Sequence, residues 1–152
     1  MRIEQSFSVS RPPEVVFDYL TNPANLGAWQ TSKTSVEQLT AGAPQLGTRV
    51  RERTKGPRGK EFEQIVEFTE FERPARLHAH IVEGPYPVDG TWSFAAEGTG
   101  TRVDFVAEGE LPGVPTLLQP LAKRLIARQM AGYHNNLCRN LRESDAPAPD
   151  KA

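Results

Sequence analysis

The sequence predicts an α+β domain made of an antiparallel sheet and one long covering helix. Three observations predict it. Ile3, Gln5, Phe7 and Val9 alternate with polar neighbours, and the same period of two returns over most of Lys33 to Leu111, as half-buried strands require. Two short proline-started segments interrupt this pattern early. From about Pro115 to Glu143 the apolar spacing becomes helical, through Leu118, Ala122, Leu125, Ile126, Gln129, Tyr133 and Leu137, the stripe of an amphipathic helix.

The order is therefore strand, two short helices, six strands, long helix. After the first strand, Pro12 and Pro13 suit a first helical turn, where their missing N–H groups would be unbonded anyway. Glu14 follows at the positive end of the helix dipole, and Val16, Tyr19 and Leu20 share a face. Asn22-Pro23 ends this helix and starts another, with Asn22 as N-cap and Leu26 and Trp29 on the buried side. The strands KTSVEQLT, TRVRERTK, KEFEQIVEFTEF, RLHAHIVE, VDGTWSFAAE and TRVDFVAEGEL are separated by Gly/Pro turns, which predicts an antiparallel meander. Pro120 should kink the last helix or restart it near its beginning.

Composition bounds the partners. The 152 residues suit one domain; the ending SDAPAPDKA predicts a disordered tail over 144–152, leaving 1–143 as the folded unit. A formal net charge of −1 gives no electrostatic case for nucleic acid or an anionic membrane as the main partner. Lys123, Arg124, Arg128, Arg139 and Arg142 cluster on the last helix and read first as a solvated face. The single Cys138 excludes an internal disulfide. With no apolar run of membrane-spanning length and no signal-peptide pattern, the expected location is cytoplasmic, with no integral membrane segment.

Turn chemistry fixes a register. A three-residue loop Pro57-Arg58-Gly59 pairs Thr54 with Phe62, Glu52 with Gln64 and Val50 with Val66, and sets Arg53 and Arg49 opposite Glu63 and Glu67 on the other face. The ERPA turn pairs Phe68 with Ala79, Val66 with Ile81 and Gln64 with Glu83; the GPYP loop pairs Ala79 with Trp92 and Leu77 with Phe94. The hairpin around GTG keeps Trp92 and Phe94 on the face of Val103, Phe105 and Ala107. The turns agree on one inner face, which a slip by one residue would destroy. His78 and His80 then point outward, where solvated charge partners are the expected reading and no third ligand supports a metal. Glu52, Gln64 and Glu83 form a polar row on the inner face, which must be wet or functional.

The stretches SVSRPPEVVFDYLTNPANLGAWQ, GTRVRER, PYPVDGTWSF and GTGTRVDF, with the proline-kinked last helix, resemble the START-like, helix-grip (SRPBCC) superfamily, most closely its polyketide cyclase/dehydrase and lipid-transport branch. The likeness covers about Met1 to Glu143. The family's early tryptophan matches Trp29, though the proline that often follows it is replaced by Gln30-Thr31. The resemblance implies a curved antiparallel sheet of about seven strands gripping the C-terminal helix around a ligand cavity, with the two short helices closing one side.

An apolar pocket with a few convergent polar groups is the usual small-molecule site. The expected ligand-binding residues are Gln64, Leu77, Ala79, Tyr86, Trp92, Phe94, Phe105, Gln129 and Tyr133. Each also has a plainer reading, as core packing, a local hydrogen bond or an exposed loop. Glu52 and Glu83 are candidate acid–base residues, since two close carboxylates would raise one pKa; their plainer reading is a wet rim. No cofactor motif and no metal set is present. Three functions stay open: carriage or sequestration of a hydrophobic molecule such as a lipid or aromatic polyketide, an aromatase/cyclase-type enzyme, or a toxin-like or co-chaperone-like interaction module using the basic side of the last helix. A protein partner, if any, is unspecified.

Overall fold

The computed structural model describes residues 1–145. Strand β1 (Arg2–Val9) leads into helices α1 (Pro13–Thr21) and α2 (Pro23–Trp29); strands β2 (Lys33–Gln38), β3 (Arg49–Lys55), β4 (Glu61–Glu72), β5 (Arg76–Glu83), β6 (Val88–Glu97) and β7 (Gly100–Gly109) follow. Helix α3 (Gln119–Asp145) ends the described chain. The seven strands form one antiparallel sheet in the order β1-β7-β6-β5-β4-β3-β2. This is the α+β helix-grip architecture expected from the residue pattern and the resemblance.

Local chemistry accounts for the boundaries. Pro13 opens α1, while Asn22 ends it and caps α2, accepting the Ala24 N–H at 3.0 Å. Val16, Phe17 and Leu20 of α1 and Leu26 and Trp29 of α2 are buried, so both short helices turn their apolar faces to the sheet. Pro120 stands in the first turn of α3, just after a single 3₁₀ turn over Thr116–Leu118: it restarts a helix rather than kinking one. Helix α3 runs through Ser144, whose hydroxyl receives a bond from Arg11 at 2.9 Å; the rest of the expected tail, residues 146–152, lies outside the described residues.

The β3–β4 pairing matches the expected register, with Glu52 opposite Gln64 and Val50 opposite Val66, and in the connecting loop Gly59 takes φ +74°. Two pairings differ. A bulge after Val66–Ile81 places Glu83 opposite Ile65 instead of Gln64, and this single-residue slip turns Glu83 to the outer face. Between β5 and β6, Leu77 faces Trp92 and Ala79 faces Gly90, a shift of two residues that leaves the inner face unchanged. The strands part beyond Ala79 because the Asp89 side chain, not a backbone carbonyl, accepts the Ile81 N–H at 3.1 Å.

That inner face is the core. Trp92 lies beside Phe105 and Phe94 beside Val103, and all are buried with Leu77, Ile3, Val9, Leu137 and Leu141. Gly90 serves this packing: a Cβ there would stand 2.9 Å from the Trp92 ring. Only the C-terminal half of α3 is buried. Leu118, Leu125 and Gln129, expected to face inward, are exposed, because the buried stripe runs instead through Ile126, Met130, Tyr133, Leu137 and Leu141.

Candidate functional site

A cavity of about 50 Å³ lies between the sheet and the two short helices. Leu20, Leu26 and Trp29 form its helical wall, and Val50, Glu52, Leu77, Ala79 and Trp92 contribute to its sheet wall. It does not touch α3, against which the family resemblance places it. Phe94, Phe105 and Tyr133 fill the space beneath α3 as packed core. This volume accommodates a single functional group; an apolar cavity that admits benzene is about 150 Å³.

Trp29 stands out on the wall. Its side chain is 1% exposed, and its Nε1–H has no hydrogen-bond partner. A buried donor left unpaired costs roughly 1–3 kcal/mol, so the position is stable only if surrounding packing holds it or a bound acceptor completes it. Trp92 meets Trp29 edge to face, with ring centroids 6.2 Å apart.

Beside the cavity lies a polar cluster built by β2, β3 and β4. The Lys33 ammonium reaches Glu52 at 2.9 Å and Thr54 Oγ1 at 3.0 Å, with both charged side chains more than nine-tenths buried. Gln64 donates to the same Glu52 oxygen at 2.8 Å. A register shift between Lys33 and Ser35 brings Lys33 opposite Thr54 and onto the inner face. Glu52 is thus neither wet nor free, but the anchored half of a buried ion pair. Glu83 is exposed on the opposite face, so the two carboxylates do not converge.

A third group of polar contacts ties α3 to the rest. The hydroxyls of Tyr133 and Ser32 share a hydrogen bond, joining α3 to the turn before β2. Burial raises the Tyr133 pKa above the ordinary phenol value, opposed by bonds from Ser32 and by the Gln129 side chain. Gln129 is itself exposed, and Tyr86 is half-buried against Phe62, centroids 5.1 Å apart. Asn136 donates to the Trp29 carbonyl at 3.2 Å, and Asn140 to that of Ala28 at 2.9 Å.

His134, 2% exposed, is the buried group that the sequence reading passed over. Trp92 Nε1–H donates to its Nε2 at 3.2 Å, which puts the imidazole proton on Nδ1, 3.1 Å from Gln5 Oε1. Gln5 passes the chain on to the Ala127 carbonyl at 2.7 Å. Phe7 stacks on the imidazole at 4.4 Å and Phe105 meets it edge-on at 4.9 Å. This burial lowers the His134 pKa to about 4, so the ring is neutral at physiological pH. Counting back from Leu141 and Leu137 by helical steps reaches position 134, which is the signal that could have found it. Lys33 had no such signal, since ten residues of irregular chain separate β2 from β3.

On the outer face, His78 and His80 both contact Asp89, at 3.3 and 2.8 Å. Burial alone would raise the Asp89 carboxyl, but bonds from His80, the Ile81 N–H and His78 hold it below the usual range. Among the described residues no group of three or more His, Cys, Asp or Glu side chains is arranged to hold a metal ion, and no helix is long and apolar enough to cross a membrane.

An open antiparallel sheet, a long helix packed on its buried face and a cavity beneath two short helices define a START-like domain. Residues 1–144 match the family described as polyketide cyclase/dehydrase and lipid transport, and the chain belongs to that family. Family and fold together support a hydrophobic-ligand-binding domain. No curated protein matches the chain in sequence. Among solved structures it is similar to TTHA0849 of Thermus thermophilus, with TM-score 0.82, 23% identity, and 96% and 100% of the two chains covered. A START superfamily protein of Mycobacterium smegmatis superposes with TM-score 0.75 at 15% identity, over 94% of this chain and 98% of that one. The di-domain ARO/CYC protein BexL of the BE-7585A biosynthetic pathway gives TM-score 0.76 at 16% identity; the match spans 97% of this chain and 48% of BexL.

Proposed function

We propose that the protein binds a small, largely hydrophobic molecule bearing a hydrogen-bond acceptor, and carries or sequesters it without converting it. The observation that supports this reading most is that Trp29, whose buried Nε1–H has no partner, is a lining residue of an apolar cavity. A carbonyl or hydroxyl oxygen of the ligand fills the small void and accepts from Trp29, while Leu20, Leu26, Val50, Leu77 and Ala79 enclose the adjoining hydrocarbon. Burial of that surface contributes roughly 25 cal/mol per Å². Since the void holds only one functional group, the rest of the ligand is accommodated by displacing α1 and α2 from the sheet.

Carriage is favoured over catalysis by the state of Glu52. A general acid or base must be free to exchange its proton, whereas Glu52 is held by Lys33 and Gln64. The likeness to BexL keeps a cyclase-type reading as the second choice, although Tyr133, the residue that would polarise a substrate carbonyl, does not line the cavity.

The test uses the protein's own fluorophores. Its two tryptophans, Trp29 and Trp92, both line the cavity. Native mass spectrometry of purified protein should reveal a co-purified compound, and titration with cis-parinaric acid or a polyhydroxyanthraquinone should shift tryptophan emission. Trp29→Phe should weaken the better binder at least several-fold. Absence of any bound compound together with unchanged emission for both probes would overturn the reading, and turnover of the anthraquinone precursor would replace it with the enzyme.

A further inference from the structure

Helix α3 and the 3₁₀ turn before it carry two apolar stripes, and only one is used by the core. The second comprises Leu117, 93% exposed, with Leu118, Leu121 and Leu125, each more than half exposed. At about 100° per residue, Leu121 and Leu125 point away from the side that buries Leu137. Four exposed leucines within nine residues form a continuous apolar patch rather than scattered surface hydrophobes. The patch lies where β7 passes into α3. The Glu110 N–H there bonds to the Pro87 carbonyl in the loop of Tyr86.

The charge around the patch is one-sided. From Leu111 to Arg142 the chain has no Asp or Glu but has Lys123, Arg124, Arg128, Arg139 and Arg142. Arg124 and Arg128 are exposed and adjoin the leucine stripe on the helix, and among the described residues neither makes an ion pair. The formal net charge of −1 conceals this segment, because the compensating carboxylates lie elsewhere.

We propose that the start of α3 with its preceding 3₁₀ turn, carrying Leu117, Leu118, Leu121, Leu125, Arg124 and Arg128, docks the protein reversibly on an anionic lipid surface. The leucines enter the boundary between headgroups and acyl chains, and the two guanidiniums bind lipid phosphates, the division of labour of an interfacial amphipathic helix. A second copy of the chain is the poorer occupant: a two-fold contact through this patch would press Arg124 and Arg128 against their own copies. Leu117 is almost wholly bare, which suits insertion into a fluid phase better than docking against a rigid surface.

The inference is independent of what occupies the cavity. Full-length protein is sedimented with extruded phosphatidylcholine vesicles, with and without about 30 mol% phosphatidylglycerol. Binding is expected with the anionic vesicles and little with phosphatidylcholine alone, and should weaken as NaCl rises from about 0.05 to 0.5 M. The triple variant Leu117→Ser, Leu121→Ser, Leu125→Ser should lose at least about tenfold in partitioning, as should Arg124→Glu with Arg128→Glu. These residues are exposed, so both variants should keep the wild-type thermal transition and the cis-parinaric acid response. No binding to anionic vesicles, or binding unchanged in both variants, overturns the proposal. So does a concentration-dependent dimer in light scattering that the leucine variant abolishes, since it assigns the patch to a second copy.

Discussion

The indole N–H of Trp92 donates to Nε2 of His134 across 3.2 Å, and this bond fixes the imidazole as the neutral Nδ1–H tautomer. It joins the centre of the sheet to the middle of α3. Protonating Nε2 would set two N–H groups against each other inside a cage of Phe7, Trp29 and Phe105. The contact therefore exists only with an uncharged histidine.

Stability should accordingly depend on acid. The folded-state pKa of His134, about 4, lies below its unfolded value near 6.5. The unfolded chain binds the extra proton in this window, so the contribution is complete above about pH 6.5 and is lost as pH falls towards 4. Urea unfolding should show up to about 3 kcal/mol of acid loss from this source. In His134→Gln the slope over that range should be visibly shallower; an identical slope would disprove the assignment.

The Lys33–Glu52 pair predicts a non-additive response. Glu52→Gln leaves a buried ammonium without its counter-charge and should cost about 3–5 kcal/mol. Combining Lys33→Met with Glu52→Leu removes both charges and should recover most of that loss. Equilibrium denaturation of the two single variants and the double variant measures the coupling, and simple additivity would argue against an intimate pair.

Tyr133 and Ser32 join α3 to the chain beside α2, next to the proposed entry route. Removing the shared bond with Tyr133→Phe should cost about 1 kcal/mol. Stopped-flow mixing with cis-parinaric acid should then show tryptophan quenching accelerated by up to about fivefold. Unchanged kinetics would mean that the ligand enters elsewhere.

Gly90 tests the packing under Trp92. An alanine Cβ would meet the ring at 2.9 and 3.0 Å, forcing it off His134 at a cost of about 1–3 kcal/mol. The Nε1–H resonance of Trp92 should shift in a ¹⁵N correlation spectrum while that of Trp29 moves less.

The fold was legible because turn chemistry and alternation gave the same answer along most of the meander. Pro57-Arg58-Gly59 set the β3–β4 register, and Asn22-Pro23 marked the corner between the helices. The candidate site was less legible, for specific reasons. The bulge that turns Glu83 outward carries no residue signature, and the Ala79–Gly90 pairing depends on an Asp89 side chain replacing a ladder carbonyl. The leucines at the start of α3 have the same periodicity as core residues, and sequence alone does not say how far the sheet reaches along a helix. From the sequence Trp29 is only a residue on the buried side of the second short helix, because an unsatisfied N–H becomes visible only when its neighbours are known.

The edge-to-face contact between Trp29 and Trp92 makes the cavity wall a coupled pair of chromophores. Two indoles so close, in a chain with no other tryptophan, should split their ultraviolet transitions into an exciton couplet of opposite-signed bands. A guest that wedges between them would erase that couplet, so occupancy could be followed by circular dichroism without any label.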